Sequence, residues 1–399
     1  MTPSYTLAEF DLLEAHRSLR ALFLLREDVV PLNNGSFGAC PRPVFEAYQR
    51  WQLEFERHPD GYMRRWLDEM DCARAALAAY LGTTPDQLAF VTNATMGVNI
   101  VAHSLRAWLC EGDQILTTDH EYAACNNAWA FVCHKTGARY IQRSIPLPLT
   151  TSEAWLEAFW SGVTPRTRVI FLSHITSPTA LTFPVEAVCQ RARQAGILTV
   201  IDGAHVPGQR RLSLDALGAD FYIGNCHKWM MGPKGSAFLY ARREVQYLIE
   251  PLVVGHGWQP SAVADKPMQE YVERLGTRDL AAFLAVPAAI AFLREHDWDA
   301  VRQRCHQVAL AVRNHLESQL GTQPICPPTF EWVSQMVAIR LPERTEVEAL
   351  QRVLLERYRI ELPIIRWGQH TFARLSVQAY VTPPHLSALL EALLKHCAS

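Results

Sequence analysis

The sequence predicts an α/β fold: a mainly parallel sheet with helices on both faces, followed by a smaller α+β domain. Three observations carry that expectation. From residue 88 to 240, β-prone runs alternate with stretches of helical spacing, the pattern of strands joined by crossover helices. Several of these runs end in polar or charged turns, and open parallel sheets bind ligands beyond the carboxyl ends of their strands. The chain has 399 residues, 49% hydrophobic and 20% charged, enough for a large core and two domains of a globular protein.

Composition narrows the function classes. A formal net charge of −2 gives no signal for nucleic acid. No apolar run reaches the about 18 residues of a membrane span. The start, Met1-Thr2-Pro3-Ser4-Tyr5, lacks the basic and apolar regions of a secretory signal. The 10 cysteines are scattered without a Cys-x-x-Cys pair, which suits a reducing cytoplasm. The 15 histidines are dispersed with no metal-ligand spacing, so no metal is expected.

In chain order, Leu7 to Arg26 reads as helix. Asn33-Asn34-Gly35-Ser36 is too polar and glycine-rich for a regular element and reads as a turn. Pro43 to Gln52 and Trp66 to Leu81 read as helices, and between them lies His58-Pro59-Asp60-Gly61-Tyr62-Met63-Arg64-Arg65. Leu88-Ala89-Phe90-Val91 is a strand. Val98, Val101, Leu105 and Trp108 then recur at helical spacing, with Asn93 as N-cap. Gln114 to Thr118 is the next strand, closed by Asp119-His120-Glu121-Tyr122. Arg168 to Ser173 is another, followed by His174-Ile175-Thr176-Ser177-Pro178-Thr179. Pro184 to Gln194 is a crossover helix. Leu198 to Ile201 is a strand ending in Asp202-Gly203-Ala204-His205. Phe221-Tyr222-Ile223 and Ala237 to Tyr240 flank a loop, Asn225 to Gly235, punctuated by glycine and proline. The stretch from Val253 to Pro267 reads as an irregular loop. Gly276-Thr277-Arg278-Asp279 precedes an apolar helix over Leu280 to Arg294. Met336 to Leu341 and Ala373 to Val377 are strands of the smaller domain.

Chemistry concentrates at the strand ends. Lys228 sits in the glycine-rich loop, where burial lowers a lysine pKa and a neutral amine reacts with an aldehyde. Asp202 ends a strand, and a buried carboxylate there calls for a cationic or donor partner, such as a protonated pyridine nitrogen. The start of the helix after Asn93 offers free N–H groups and the Thr95 hydroxyl to a phosphate. Arg374, inward on a small-domain strand, needs an anion. Its planar fork suits a carboxylate, and an internal salt bridge is the alternative.

In this order, these stretches resemble the pyridoxal-phosphate enzymes of fold type I, in the class V aminotransferase and cysteine desulfurase superfamily. Leu32-Asn33-Asn34-Gly35-Ser36-Phe37-Gly38-Ala39-Cys40-Pro41, Gly276-Thr277-Arg278-Asp279 and Arg374-Leu375-Ser376-Val377-Gln378-Ala379-Tyr380 look like its isopenicillin N epimerase-like branch. The resemblance implies a seven-stranded sheet in the large domain and pyridoxal 5'-phosphate as cofactor. It implies domains at 1–30, 31–280 and 281–399, the first packing with the last. Lys228 and Asp202 become the catalytic residues. Ala94, Thr95, Met96, Tyr122, Ser177, His205 and His227 become cofactor contacts, with His120 the alternative to Tyr122 for the aromatic residue on the pyridine face. Ser177 stands where desulfurase relatives carry an asparagine. Thr277 reaches the phosphate of the other subunit, hence a homodimer with shared sites, or else merely begins a helix. Arg374, Asn34 and Gly35 hold the amino-acid substrate, with Arg64 and Arg65 as further carboxylate candidates from the partner.

The expected reaction is of epimerase or racemase type at Cα. C–S lyase-type β-elimination comes second and transamination third. A desulfurase is not expected, because Pro363 to Phe372, just before Arg374, contains no cysteine. Lys228 and Asp202 together argue against a non-catalytic binding module.

Overall fold

A computed structural model describes residues 5–258 and 267–397. The part of the expected 253–267 loop from 259 to 266 lies outside the described residues. The large sheet has seven strands: β1 Leu88–Val91, β2 Gln114–Thr118, β3 Arg139–Arg143, β4 Thr167–Ser173, β5 Leu198–Asp202, β6 Phe221–Asn225 and β7 Ala237–Ala241. Their spatial order is β1-β7-β6-β5-β4-β2-β3, and β7 alone runs antiparallel to its neighbours. Asp202, Asn225 and the turns after β2 and β4 therefore collect at one edge of the sheet, where parallel strands end.

Alternation along the strands fills both faces. In β1, Leu88 and Phe90 join one core and Ala89 and Val91 the other. The first core is shared with α1 (Arg42–Arg57) and α2 (Pro59–Leu81); the second packs under α3 (Ala94–Leu105) and α4 (Ala123–Thr136). β1 is an edge strand, and the helix Pro267–Glu273 covers it. Phe90 N–H donates to Glu273 Oε1 at 2.7 Å and Gln269 Nε2 donates to the Leu88 carbonyl at 2.8 Å, which closes the edge to other chains. Buried Glu273 is paired with buried Arg74 of α2, so neither charge is left alone.

The small sheet has β8 Met336–Leu341, β9 Ile364–Trp367 and β10 His370–Ser376, in the order β9-β10-β8, all antiparallel. The N-terminal segment leans on this part: Val30-Pro31 pairs with Ile360-Glu361, Arg20 Nη1 donates to the Tyr380 carbonyl at 2.7 Å, and Phe23 meets Tyr380 edge-on.

Four local expectations need correction. Residues 8–16 form a 3-10 helix, with α-helix only over Arg17–Arg20. Asn34–Phe37 is a single helical turn, stopped by Gly38. The second helix, expected from Trp66, begins at Pro59, which sits at N1, where its missing N–H is no loss. The apolar helix after residue 280 is two segments, Ala281–Leu284 and Val286–Glu295, because Pro287 has no N–H to continue the first ladder.

Candidate active site

At the carboxyl edge of the large sheet lies a cavity of about 200 Å³. Lys228 lines it from the loop after β6, Asp202 and His205 from the end of β5, Ser177 from the turn after β4, Tyr122 from the cap of α4, and Ala94 and Thr95 from the start of α3. The lysine loop is held by its own backbone: Cys226 and His227 N–H groups donate to the Ser236 carbonyl, and Gly232 N–H to that of Cys226. Two glycines brace it from outside. A Cβ on Gly38 would lie 2.2 Å from the His227 oxygen and 2.5 Å from that of Lys228; one on Gly208 would lie 2.2 Å from the Trp229 carbonyl carbon. Only glycine permits these approaches, and both carry positive φ.

Removal from water pushes the Lys228 amine down to about 8, against the pull of the Asp202 charge, so its neutral fraction near neutral pH is far larger than that of a solvated lysine. Its Nζ lies 3.5 Å from His205 Nε2. Burial drives His205 well below its ordinary value, helped by Lys228 and Arg374, and its Nδ1 has no hydrogen-bond partner. Asp202 is raised by burial, although Oδ1 accepts from Ala204 N–H at 2.9 Å and Oδ2 faces the Cys125 thiol at 3.5 Å. Both acid and amine thus lean toward neutrality, the state expected of a pair waiting for a third, cationic group. His227 Nδ1 donates to the Ser236 carbonyl at 2.8 Å, leaving Nε2 as its free face; burial takes it down to about 4.

Helix α3 is capped as expected, with Asn93 Oδ1 accepting from Met96 N–H at 2.8 Å. That bond and the 2.9 Å bond from Ala94 N–H to Asn225 Oδ1 engage two of the three backbone donors expected for a phosphate. Met96 is not part of the cavity wall, and Thr95 remains with its N–H and hydroxyl. Tyr122 is on the wall, whereas His120 is fully buried behind it, its ring 4.3 Å from that of Trp367. Thr277 is exposed and does not line the cavity of its own chain, while neighbouring Asp279 Oδ1 accepts from Ala281 N–H at 2.8 Å. Arg64 pairs with Asp60 and Arg65 with Glu54, both on the surface.

Arg374 is buried behind the cavity rim. Nη1 donates to the Ser177 carbonyl at 2.8 Å and to its hydroxyl at 3.0 Å, and Nη2 to the Ser36 hydroxyl at 2.9 Å. Its Nε has no partner, and among the described residues no carboxylate pairs with it; burial lowers it to about 10. Gly35 and Asn34 back this rim: Gly35 N–H donates to Ser376 Oγ at 3.1 Å, and Tyr380 donates to Asn34 Oδ1 at 2.9 Å. The wall also contains Ser36, Phe37, Asn93, Cys125, Ser173 and Asn225, none of them singled out from the sequence as a site residue. Asn225 carried a usable signal, a polar residue at a strand end three positions before Lys228.

Residues 42–385 match the family model of class V aminotransferases. The chain belongs to the class V aminotransferase family. It is 36% identical over 378 residues to isopenicillin N epimerase of Amycolatopsis lactamdurans, covering 92% of this chain and 94% of that one. It is 27% identical over 401 residues to a probable L-cysteine desulfhydrase of Arabidopsis thaliana, covering 92% and 82%. Among solved structures, a C-DES variant with glycine linked to its pyridoxal-phosphate cofactor superposes with a TM-score of 0.80 at 20% identity, covering 94% of this chain and 99% of that one. This class V protein therefore has fold type I and is a pyridoxal-phosphate-dependent enzyme. The residues present fit that cofactor. An amine of lowered pKa, a buried acid in need of a cation and an unpartnered imidazole nitrogen face one cavity beside a capped helix start.

Proposed function

We propose that this class V enzyme acts on an amino acid by moving the proton at Cα while retaining the amine, an epimerase- or racemase-type reaction like that of its isopenicillin N epimerase relatives. The observation that carries the reading is Arg374, a buried guanidinium whose fork meets hydroxyl and carbonyl oxygens of Ser36 and Ser177 on the wall of the Lys228 cavity and, among the described residues, no acid. A substrate carboxylate completes it. When bound, pyridoxal phosphate supplies the sink for the electrons left by the departing proton. Lys228 Nζ would take that proton, and reprotonation on the opposite face of Cα would give inversion; Asp202 would hold the ring nitrogen, and His205, beside Ser177, would serve the phenolic oxygen. Thr95 and His227, with Thr277 from the partner, would hold the phosphate at the helix start, where Ala94 lines the cavity and Met96 does not. Donation from His227 Nε2 to a phosphate requires the protonated ring, which the dianion itself favours. Tyr122 covers the ring face, and Asn34 and Gly35 shape the substrate side.

β-Elimination of the C–S lyase type is the second reading. It is favoured by the desulfhydrase relative and by the likeness in fold to C-DES, named as a cystine C–S lyase. A transaminase is third. A desulfurase is disfavoured: the hairpin before Arg374 holds no cysteine, and Cys326 is buried 3.3 Å from Arg313 Nη1. Unpaired thiols throughout the described chain fit a cytoplasmic location.

The test is incubation of holoenzyme with a panel of L-amino acids in deuterated water, followed by NMR. Deuterium at Cα with inversion is the expected result, and Arg374→Ala should raise KM. Pyruvate, ammonia and a sulfide or persulfide would replace this reading with elimination. Release of a keto acid with conversion of the cofactor to its amine form would replace it with transamination.

A further inference from the structure

The hairpin β9–β10 carries Arg374 on its second strand and Trp367 at its tip, beside the two-residue loop Gly368-Gln369. Both side chains cross to the large sheet. Arg374 lands on the turn after β4, at Ser177. Trp367 lands on the turn after β2: its Nε1–H donates to the Asp119 carbonyl at 2.8 Å, and its ring lies 4.3 Å from that of His120, tilted by 33°.

The two turns are themselves joined. His120 Nδ1 is 2.8 Å from Thr179 Oγ1, which is 2.8 Å from Thr176 Oγ1, and Ser177 lies between those threonines in the chain. His120 is fully buried and additionally meets Phe183 edge-on, so it is a fixed post rather than a surface contact. The links close a circuit: hairpin tip, first turn, second turn, and back to the hairpin through Arg374. β10 is paired with β8 along Thr371–Ser376, so Arg374 moves with the small sheet, and the Trp367 contact at the hairpin tip is a second tie between that sheet and the large one. Because the tip is anchored, the position of Arg374 relative to the cavity is set at two points.

We propose that Trp367 is a positioning residue: its latch on the 119–122 turn fixes how far Arg374 reaches toward the substrate. The proposal rests on the reading of Arg374 as the carboxylate site. Trp367 touches no reacting atom, so its loss weakens binding of the carboxylate in ground state and transition state alike and appears in KM rather than kcat.

The experiment compares holoenzyme of the wild type, Trp367→Phe, Trp367→Ala and Arg374→Ala by hydrogen–deuterium exchange. It adds steady-state kinetics of Cα-proton exchange with the fastest-reacting amino acid of the panel. Trp367→Phe keeps the ring contact and loses one hydrogen bond, which should raise KM about threefold; Trp367→Ala loses both and should raise it about tenfold, with kcat held within about twofold. Amides of residues 364–376 should exchange faster in the same order. Should Trp367→Ala fold poorly, Trp367→Phe carries the test alone. Unchanged hairpin exchange, or faster exchange with unchanged KM while Arg374→Ala still raises it, overturns the latch and leaves the carboxylate site standing. An equal fall of kcat in the Trp367 variants without a KM change also overturns it. A normal KM in Arg374→Ala overturns the carboxylate reading and the latch with it.

Discussion

Glu121 is a carboxyl group buried at the end of β2, one strand removed from Asp202, with three donors converging on it. Thr118 Oγ1 lies at 2.7 Å, Ser173 N–H at 2.8 Å and Ser173 Oγ at 2.6 Å. Burial outweighs these donors, and the nearby Asp202 charge adds to it, so the group is pushed up from 4.5 to about 7. The folded chain therefore keeps this proton at pH values where the unfolded chain has lost it. Its contribution to stability is complete below about pH 4.5 and is lost as pH rises through about 7. Integrated over that interval it is worth roughly 3 kcal/mol at most. Glu121→Gln removes the titration, so urea unfolding of the apoprotein between about pH 5 and 8 should show a flatter decline of stability in the variant. The same slope in both proteins would mean that Glu121 is ionised in the fold. Ser173, which Glu121 holds, lies on the cavity wall and pairs in register with Asp202, so the carboxyl also braces the strand end that carries Asp202.

The lysine loop shows what a sequence reveals of an element and what it withholds. The strands on either side of it, the strand before Asp202 and the capped helix after Asn93 were legible, since periods of 2.0 and 3.6 and an N-cap are local signals. Strand-end position pointed to Lys228, Asp202 and Arg374, and the family pattern added His205. Asn34–Phe37 was not legible as helix, because one turn is too short to display a period. The start of α2 was obscured by His58-Pro59, where proline at the first helical position looks the same in sequence as a turn. The bracing of Lys228 by Gly38 and Gly208 was invisible, because it is a contact between segments far apart in the chain. That bracing makes a contrast testable. Gly38→Ala forces a Cβ into two carbonyl oxygens at φ +67°, whereas Gly196→Ala, at φ +68°, meets nothing within 4 Å. The second should cost about 1 kcal/mol of backbone strain; the first should cost roughly 2–4 kcal/mol and also lower covalent cofactor occupancy. Denaturant midpoints with cofactor absorbance measure both. Equal losses in the two variants would show that the close approach to Lys228 is not real.

At the scale of the whole molecule, we propose that 31–280 forms the large domain and 281–399 the small one. The 1–30 segment packs on the latter, as its pairing with residues 360–361 and Tyr380 suggests. We further propose that two such chains share their sites. Thr277 is exposed and does not line its own cavity, while Tyr247, Val254 and Trp258 leave 80%, 68% and 44% of their surfaces open, apolar area of the kind a second copy covers. If Thr277 serves the partner's phosphate, a Thr277 defect on one chain and a Lys228 defect on the other fall in the same site of a mixed dimer and leave the second site intact. Thr277→Glu places a negative charge against the phosphate and should abolish cofactor uptake; Lys228→Ala removes the amine that borohydride fixes to the cofactor. Neither homodimer should carry reducible label. Co-expression should yield mixed dimers in which one site has a good Lys228 and a good Thr277 and the other has neither. With random pairing, half the dimers are mixed, and about a quarter of the wild-type label should return, all of it on Lys228 of the Thr277→Glu chain. Mixed dimers that are isolated by tag and carry no label would remove Thr277 from the partner's site, and a chain that sediments as a monomer with full cofactor occupancy would remove the shared site altogether.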